Sequence, residues 1–191
     1  MNTEKLKTKD IITVVLMSLI NIVIFSLGTF LYLTPVTILL MPVFYSLLQG
    51  IVFYMIGVRV KKKGAVFLYC VIQGVIGFNI PYILMFLIAG IAGEILLSKK
   101  GYGNPAAIGI SYVIMQVLAS VGSTVYPYGI VLDATLENMG NSAGDLGVNV
   151  RAAGEMISSW GMAVLLIVVF ASAVIGAFAG YKVMKKHFKQ D

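Results

Sequence analysis

The sequence predicts an all-α, polytopic integral membrane protein: a six-helix transmembrane bundle with both termini cytoplasmic and a long extracellular segment between spans five and six. Three observations predict this class. The chain is 59% hydrophobic and 12% charged, about half the roughly 25% charge of a soluble domain, and its mean hydropathy is +0.95. Its apolar residues form runs too long and too numerous for one aqueous core. Of its 14 basic residues, 13 fall at run ends that share one face of the predicted bundle.

Span one, Ile11 to Leu33, follows the charged MNTEKLKTKD. The run is about twice the length of a signal-peptide core and has no A-x-A-like exit, so it reads as a retained span. Span two, Val36 to Val58, ends at Arg59 and Lys61 to Lys63. The stretch Gly64 to Leu97 is either one long tilted helix or two short ones, Gly64 to Ile80 and Pro81 to Leu97. Charge favours two, because a single helix would send Lys99, Lys100 and the Lys182 to Lys189 tail to the face opposite Lys5, Lys7 and Lys9, against the positive-inside rule. Pro81 also disfavours helical geometry at Ile80. Span five is Pro105 to Tyr126 and span six Trp160 to Tyr181, so residues 1–191 form one membrane domain.

Between the last two spans, Pro127 to Ser159 carries Asp133, Glu137, Asp145, Arg151 and Glu155. Leu132, Leu136 and Met139 recur at helical spacing, as do Ala152, Met156 and Ser159 after the glycine-rich GNSAGDLG turn. Two short helices over the bundle mouth fit this pattern, and so does a solvated linker. Long loops of this kind are commonly functional.

Composition and motifs exclude much chemistry. The net charge of +6 is spread over short clusters at run ends, which suits cytoplasmic loops and lipid contact and disfavours nucleic acid. A single cysteine, Cys70, within an apolar run and a single histidine, His187, in the basic tail leave no disulfide framework, metal set or histidine-based triad. No phosphate loop, H-E-x-x-H or G-x-S-x-G is present. No catalytic residue, metal site or cofactor is therefore predicted, and any ATP hydrolysis is expected on other subunits.

The remaining polar and small residues each carry two readings. Tyr32, Tyr82, Tyr126, Tyr128 and Trp160 gather at the predicted outer face, as an interfacial belt or as a pocket for a flat ligand, completed by Asp133, Arg151 or Glu155. Ser18 and Asn21 lie about one turn apart in span one, and Asn79 and Gln116 sit within or beside apolar runs; such groups either bond other helices or line a cavity. Ser172, Gly176 and Gly180 recur every four residues and let another helix approach closely, from the same bundle or from another subunit. Glu94, the acid within span four, either pairs with Lys99 or Lys100 or serves a coupling role.

The opening KLKTKDII, the KKKGA step, AGIAGEIL in span four and the closing GAFAGYKVMKKHFK resemble the Trep_Strep type of membrane protein, which is grouped with substrate-binding S components of energy-coupling factor (ECF) transporters. The resemblance runs over nearly the whole chain. It implies a six-helix subunit that captures a vitamin-like compound outside the cell and works with a membrane scaffold subunit and two cytoplasmic ATPases; the five outer aromatics suit a flat ligand, tetrapyrrole-like, pterin-like or thiamine-like. It places ligand contacts at Tyr32 and Thr34, at Asn79 and Tyr82, and in Tyr126 to Trp160, including Tyr128, Arg151 and Glu155. It places scaffold docking on span one near Ser18 and Asn21. Span one reads TVVLMSLINIVIF, without the alanine-x-x-x-alanine face of many S components, so the Ser172, Gly176 and Gly180 row is a rival docking face.

Two other functions compete with substrate capture. A self-sufficient secondary transporter or channel would use Glu94 for coupling. An intramembrane enzyme would draw its acids from Asp133, Glu137 or Glu155.

Overall fold

A computed structural model describes residues 4–77, 79–140, 144–157 and 159–185, without the Ser159 side chain. His187, Lys186, Lys189 and residues 141–143 of the GNSAGDLG segment lie outside the described residues. The described residues form eight α-helices in chain order: α1 (Thr8–Leu27), α2 (Pro35–Arg59), α3 (Ala65–Ile76), α4 (Ile80–Lys100), α5 (Pro105–Ser120), α6 (Leu132–Met139), α7 (Gly144–Met156) and α8 (Ser159–Met184). A 3-10 turn, Gly28–Leu33, extends α1, and a π-helix, Val121–Ile130, extends α5. No strand occurs among the described residues.

Five of these elements are long and apolar enough to cross a membrane: Thr8–Leu33, Pro35–Arg59, Ile80–Lys100, Pro105–Ile130 and Trp160–Met184. The chain is thus a multi-pass membrane protein. The apolar α3 has 12 residues, about 18 Å at 1.5 Å per residue, against the roughly 30 Å of a hydrocarbon core. It is a separate helix that folds back along α4. A Cβ on Gly77 would meet Tyr82, one on Gly74 would meet Phe86, and one on Gly90 would meet Cys70 and Phe67, which is antiparallel pairing.

Local chemistry sets the helix ends. Thr34 accepts the Thr37 N–H at 3.2 Å and begins α2 with Pro35 at its first position, where a proline costs no helical bond. Asn104 accepts the Ala106 and Ala107 N–H groups at 3.0 and 3.1 Å and does the same for α5. Before α3, Gly64 takes φ +94° and has no side chain to cap with. The cap comes from Glu94, which accepts the Gly64 N–H at 3.0 Å and the Phe67 N–H at 3.2 Å. An anion at a helix N-terminus satisfies free donors and the helix dipole together. Glu94 is therefore bonded to backbone, and no ion pair joins it to Lys99 or Lys100 among those described.

Around the central α2 pack α1, α5, α7 and α8. Its tightest neighbour is α8, which runs parallel to it: a Cβ on Gly176 would strike the Ser46 carbonyl, and one on Gly180 the Gly50 carbonyl. Ser46 and Ser172 hydroxyls meet at 2.5 Å in the same seam. The small-residue row of α8 is thus spent inside this chain's own bundle and is closed to another subunit as the described residues stand. Ser18 and Asn21 are likewise turned inward: Asn21 Nδ2 donates to the Tyr69 hydroxyl, and Gln73 Nε2 donates to the Ser18 carbonyl at 3.5 Å. The outward face of α1 consists of side chains such as Leu16, Leu19 and Val23.

The described ends of the chain and the links 60–64 and 101–104 share one end of the bundle. Lys62 joins them there, donating to Asp10 at 2.8 Å and lying 3.6 Å from Glu4. All described basic residues except Arg151 gather toward this basic end. The 3-10 turn, the α3–α4 link, the π-helix, α6 and α7 gather at the far end.

Candidate functional site

At the far end, three connections converge on a cavity of about 170 Å³. Its aromatic walls are Tyr32 from the 3-10 turn, Phe25 and Tyr45 from α1 and α2, Tyr82 from α4 and Tyr128 from the π-helix. Gln49, Gln116 and Asn79 bring side-chain amides, and Ser120, Ser123, Thr124 and Thr135 bring hydroxyls. Met41, Pro42, Gly77, Ala119 and Pro127 complete the lining, which among the described residues contains no ionisable group other than tyrosine.

The sequence builds each wall by a local device. Gly28 and Gly77 leave room for tyrosines, since a Cβ on either would collide with the ring of Tyr45 or Tyr82 respectively. Tyr45 stacks on Phe25 at 5.5 Å between centroids and donates its hydroxyl to the Phe25 carbonyl at 3.1 Å. Tyr82 meets Phe86 edge-on at 4.7 Å. Pro42 carries no N–H for the Ile38 carbonyl one turn earlier, loosening α2 beside the cavity. The π-helix turns Ser123, Thr124, Pro127 and Tyr128 to the same cavity, and π segments inside helices are frequent at functional sites.

A cover lies over these walls. Thr135 of α6 donates to the Pro127 carbonyl at 2.8 Å. Asn149 of α7 donates to the Tyr32 and Leu33 carbonyls at 3.3 and 3.1 Å. Ile38, Val125, Tyr128, Val150, Ala153 and Leu165 form one apolar cluster beneath α7, so α7 is packed down onto the bundle rather than solvated.

Beneath the cavity runs a directed hydrogen-bond chain. The Tyr112 hydroxyl donates to the Ser46 carbonyl at 2.7 Å, and Gln116 Nε2 donates to Tyr112 and to Gln49 Oε1, each at 2.9 Å. Asn79 Oδ1 is buried with no hydrogen-bond partner among the described residues. Leaving such a group unpaired costs about 1–3 kcal/mol.

Of the residues singled out in the sequence, Tyr32, Asn79, Tyr82, Gln116 and Tyr128 are brought together in this lining. Thr34 is the cap of α2, and Tyr126, Arg151, Glu155 and Trp160 are exposed, Trp160 at 84%. A helical face explains the exposure of Arg151 and Glu155, because α7 turns Val150 and Ala153 to the core. Asp133 and Glu137 are exposed on α6, and neither lines the cavity. Tyr45, Gln49, Ser120, Ser123 and Thr124 are lining residues that sequence reasoning missed. The glycines beside Tyr45 and Tyr82 and the polar residues inside spans two and five were the available signals.

A family model described as "Hypothetical bacterial integral membrane protein (Trep_Strep)" matches residues 8–190. The chain belongs to the Trep_Strep family. No curated protein and no solved structure matches it. For this Trep_Strep protein, the family supports a bacterial integral membrane protein and leaves the ligand to be argued from the cavity. Size narrows that argument, since an apolar cavity of about 150 Å³ takes up a benzene molecule. A cavity of about 170 Å³ has the scale of one ring, so a tetrapyrrole macrocycle would not be enclosed by it.

Proposed function

We propose that this protein is the substrate-capture subunit of an ATP-driven micronutrient importer of the energy-coupling factor type. One observation carries the reading: a neutral, aromatic and amide-lined cavity formed by all the connections at the far end of a membrane bundle. Convergent polar groups within an apolar pocket are the usual form of a small-molecule site. The distribution of basic residues supports the bundle's orientation, with both termini cytoplasmic, the cavity outside and α3 counted as a sixth, short membrane segment.

In this reading the chain binds and releases its ligand and performs no catalysis. A membrane scaffold subunit and two cytoplasmic ATPases supply the energy. Glu94 favours this division of labour over self-sufficient transport, because its carboxylate is engaged by the α3 backbone toward the basic end. Among the described residues no carboxylate lines the cavity to couple an ion to the ligand.

The test is native mass spectrometry of the protein purified without added ligand, followed by uptake in proteoliposomes. Capture predicts a co-purifying small molecule and uptake only with scaffold and ATPases present. Uptake by the solitary chain under a proton or sodium gradient would overturn the reading.

A further inference from the structure

The hydrogen-bond chain beneath the cavity has a polarity that its anchor imposes. The Ser46 carbonyl can only accept, so the Tyr112 hydroxyl, 2.7 Å away, spends its proton there. The Tyr112 oxygen is left to accept, and the group it faces at 2.9 Å must be the nitrogen of Gln116. The second N–H of that amide points to Gln49 at 2.9 Å, so Gln49 must present its oxygen. Gln49 Nε2 is then the free end of the chain, with two N–H donors and no acceptor among the described residues. Gln49 lines the cavity.

A site whose hydrogen-bond chain ends in free amide donors at the cavity wall favours an acceptor, because a ligand lacking one displaces water from those donors and leaves them unpaired. Tyr32, Tyr45, Tyr82 and Tyr128 surround the space with ring faces and edges, which favours a flat molecule. The part of that molecule held within about 170 Å³ is about one ring. The absence of lysine, arginine, histidine or carboxylate from the lining disfavours a charged ligand, whose desolvation nothing there would offset. Asn79, whose Oδ1 lacks a donor, offers a second amide at the same wall.

We infer that the cavity takes a neutral, planar, single-ring molecule whose edge carries a carbonyl-type acceptor for the side-chain amide of Gln49. The inference rests on the capture reading and gives it a ligand class.

The experiment is calorimetric titration of the full chain in detergent with benzamide, benzoate, benzamidine and toluene at pH 8. Benzamide is expected to bind about tenfold or more tighter than each of the others. Gln49→Glu keeps an oxygen for Gln116 and removes the donors, so it should weaken benzamide about tenfold and favour benzamidine over benzamide. The toluene comparison needs no variant, so it stands if Gln49→Glu misfolds. Equal or tighter binding of benzoate or benzamidine to the native chain overturns the neutral class and leaves capture standing. Benzamide binding that ignores Gln49→Glu overturns the assignment of Gln49. A co-purified molecule that is charged or larger than one ring, with no probe bound, overturns the class alone. No probe bound and no co-purified molecule overturns both readings.

Discussion

The Glu94 carboxylate accepts the backbone N–H of Gly64 at 3.0 Å, across the α3–α4 hairpin and 30 residues back in the chain. With the Phe67 N–H at 3.2 Å and the Tyr102 hydroxyl at 3.1 Å, it ties together the start of α3, the body of α4 and the link to α5. Glu94→Gln replaces one acceptor oxygen by a donor and sets it against another donor. Bundle stability should fall by about 1–3 kcal/mol, read by thermal unfolding in detergent, while ligand affinity at the far end stays unchanged. Loss of ligand binding in a folded Glu94→Gln protein would refute this separation of roles.

Tyr102 gives the same tie a pH dependence. Burial, reinforced by the Glu94 carboxylate, pushes its phenol up to about 12. Folding thus favours the protonated phenol that donates to Glu94. The stabilisation is complete below the ordinary tyrosine value of 10.0 and is lost as pH rises from there toward about 12. Tyr102→Phe should flatten that part of the stability profile, and an unchanged alkaline limb would show that other groups cause it.

Where α2 and α8 touch, Gly176 has no room for a side chain, because a Cβ would meet the Ser46 carbonyl. Gly176→Val must push the helices apart, and overpacking of this kind costs about 1–3 kcal/mol or more. The separation would also pull Ser172 from Ser46 and disturb the Tyr112 bond to the same carbonyl. Both thermal stability and ligand affinity should therefore drop, unlike the pattern expected for Glu94→Gln. A Gly176→Val protein of native stability would show that the seam is looser than this packing.

The helices were legible because a bilayer demands long apolar runs and leaves charge and proline to mark their ends. Pro81 and the lysines at 99 and 100 were enough to break Gly64 to Leu97 into two elements. The inward faces were harder to read, since in a span apolar residues face lipid and core alike. Gln49 and Gln116 therefore carry no periodic signal that they meet across α2 and α5 at 2.9 Å. Arg151 and Glu155 suit a ligand by charge and by resemblance, and helical spacing at Ala152 and Met156 does not say which side of the helix faces the bundle. As a helix, the same segment points Val150 and Ala153 inward and leaves those charges outside. Glu94 was visible as an acid in an apolar run, but its partners, two backbone N–H groups and the Tyr102 hydroxyl, are ones that no residue pattern advertises.

Room at the α3–α4 link should control the cavity independently of its polar groups. A Cβ at Gly77 collides with the Tyr82 ring, so Gly77→Ala should drive that ring toward the space it lines. Affinity for any molecule held there should fall about tenfold, an effect of about 1.4 kcal/mol. The substitution lies away from the α2–α8 seam and the Glu94 cap, so the unfolding midpoint should move little. Native mass spectrometry of Gly77→Ala beside the parent protein compares occupancy directly. Equal occupancy in the two would mean that Tyr82 does not bound the ligand.

Orientation can be tested with single cysteines, because the native Cys70 is fully buried. Glu137 is exposed on α6 at the far end, and Lys100 is exposed at the basic end of α4. Basic residues are retained on the cytoplasmic side of a membrane, so the proposed orientation has Glu137 outside and Lys100 inside. In intact cells, an impermeant maleimide should label Glu137→Cys and spare Lys100→Cys, and cell lysis should make the second site reactive. The reversed pattern would put the cavity on the cytoplasmic side. A ligand captured there would come from the cell's own pool, and the same bundle would then serve export or sensing rather than uptake.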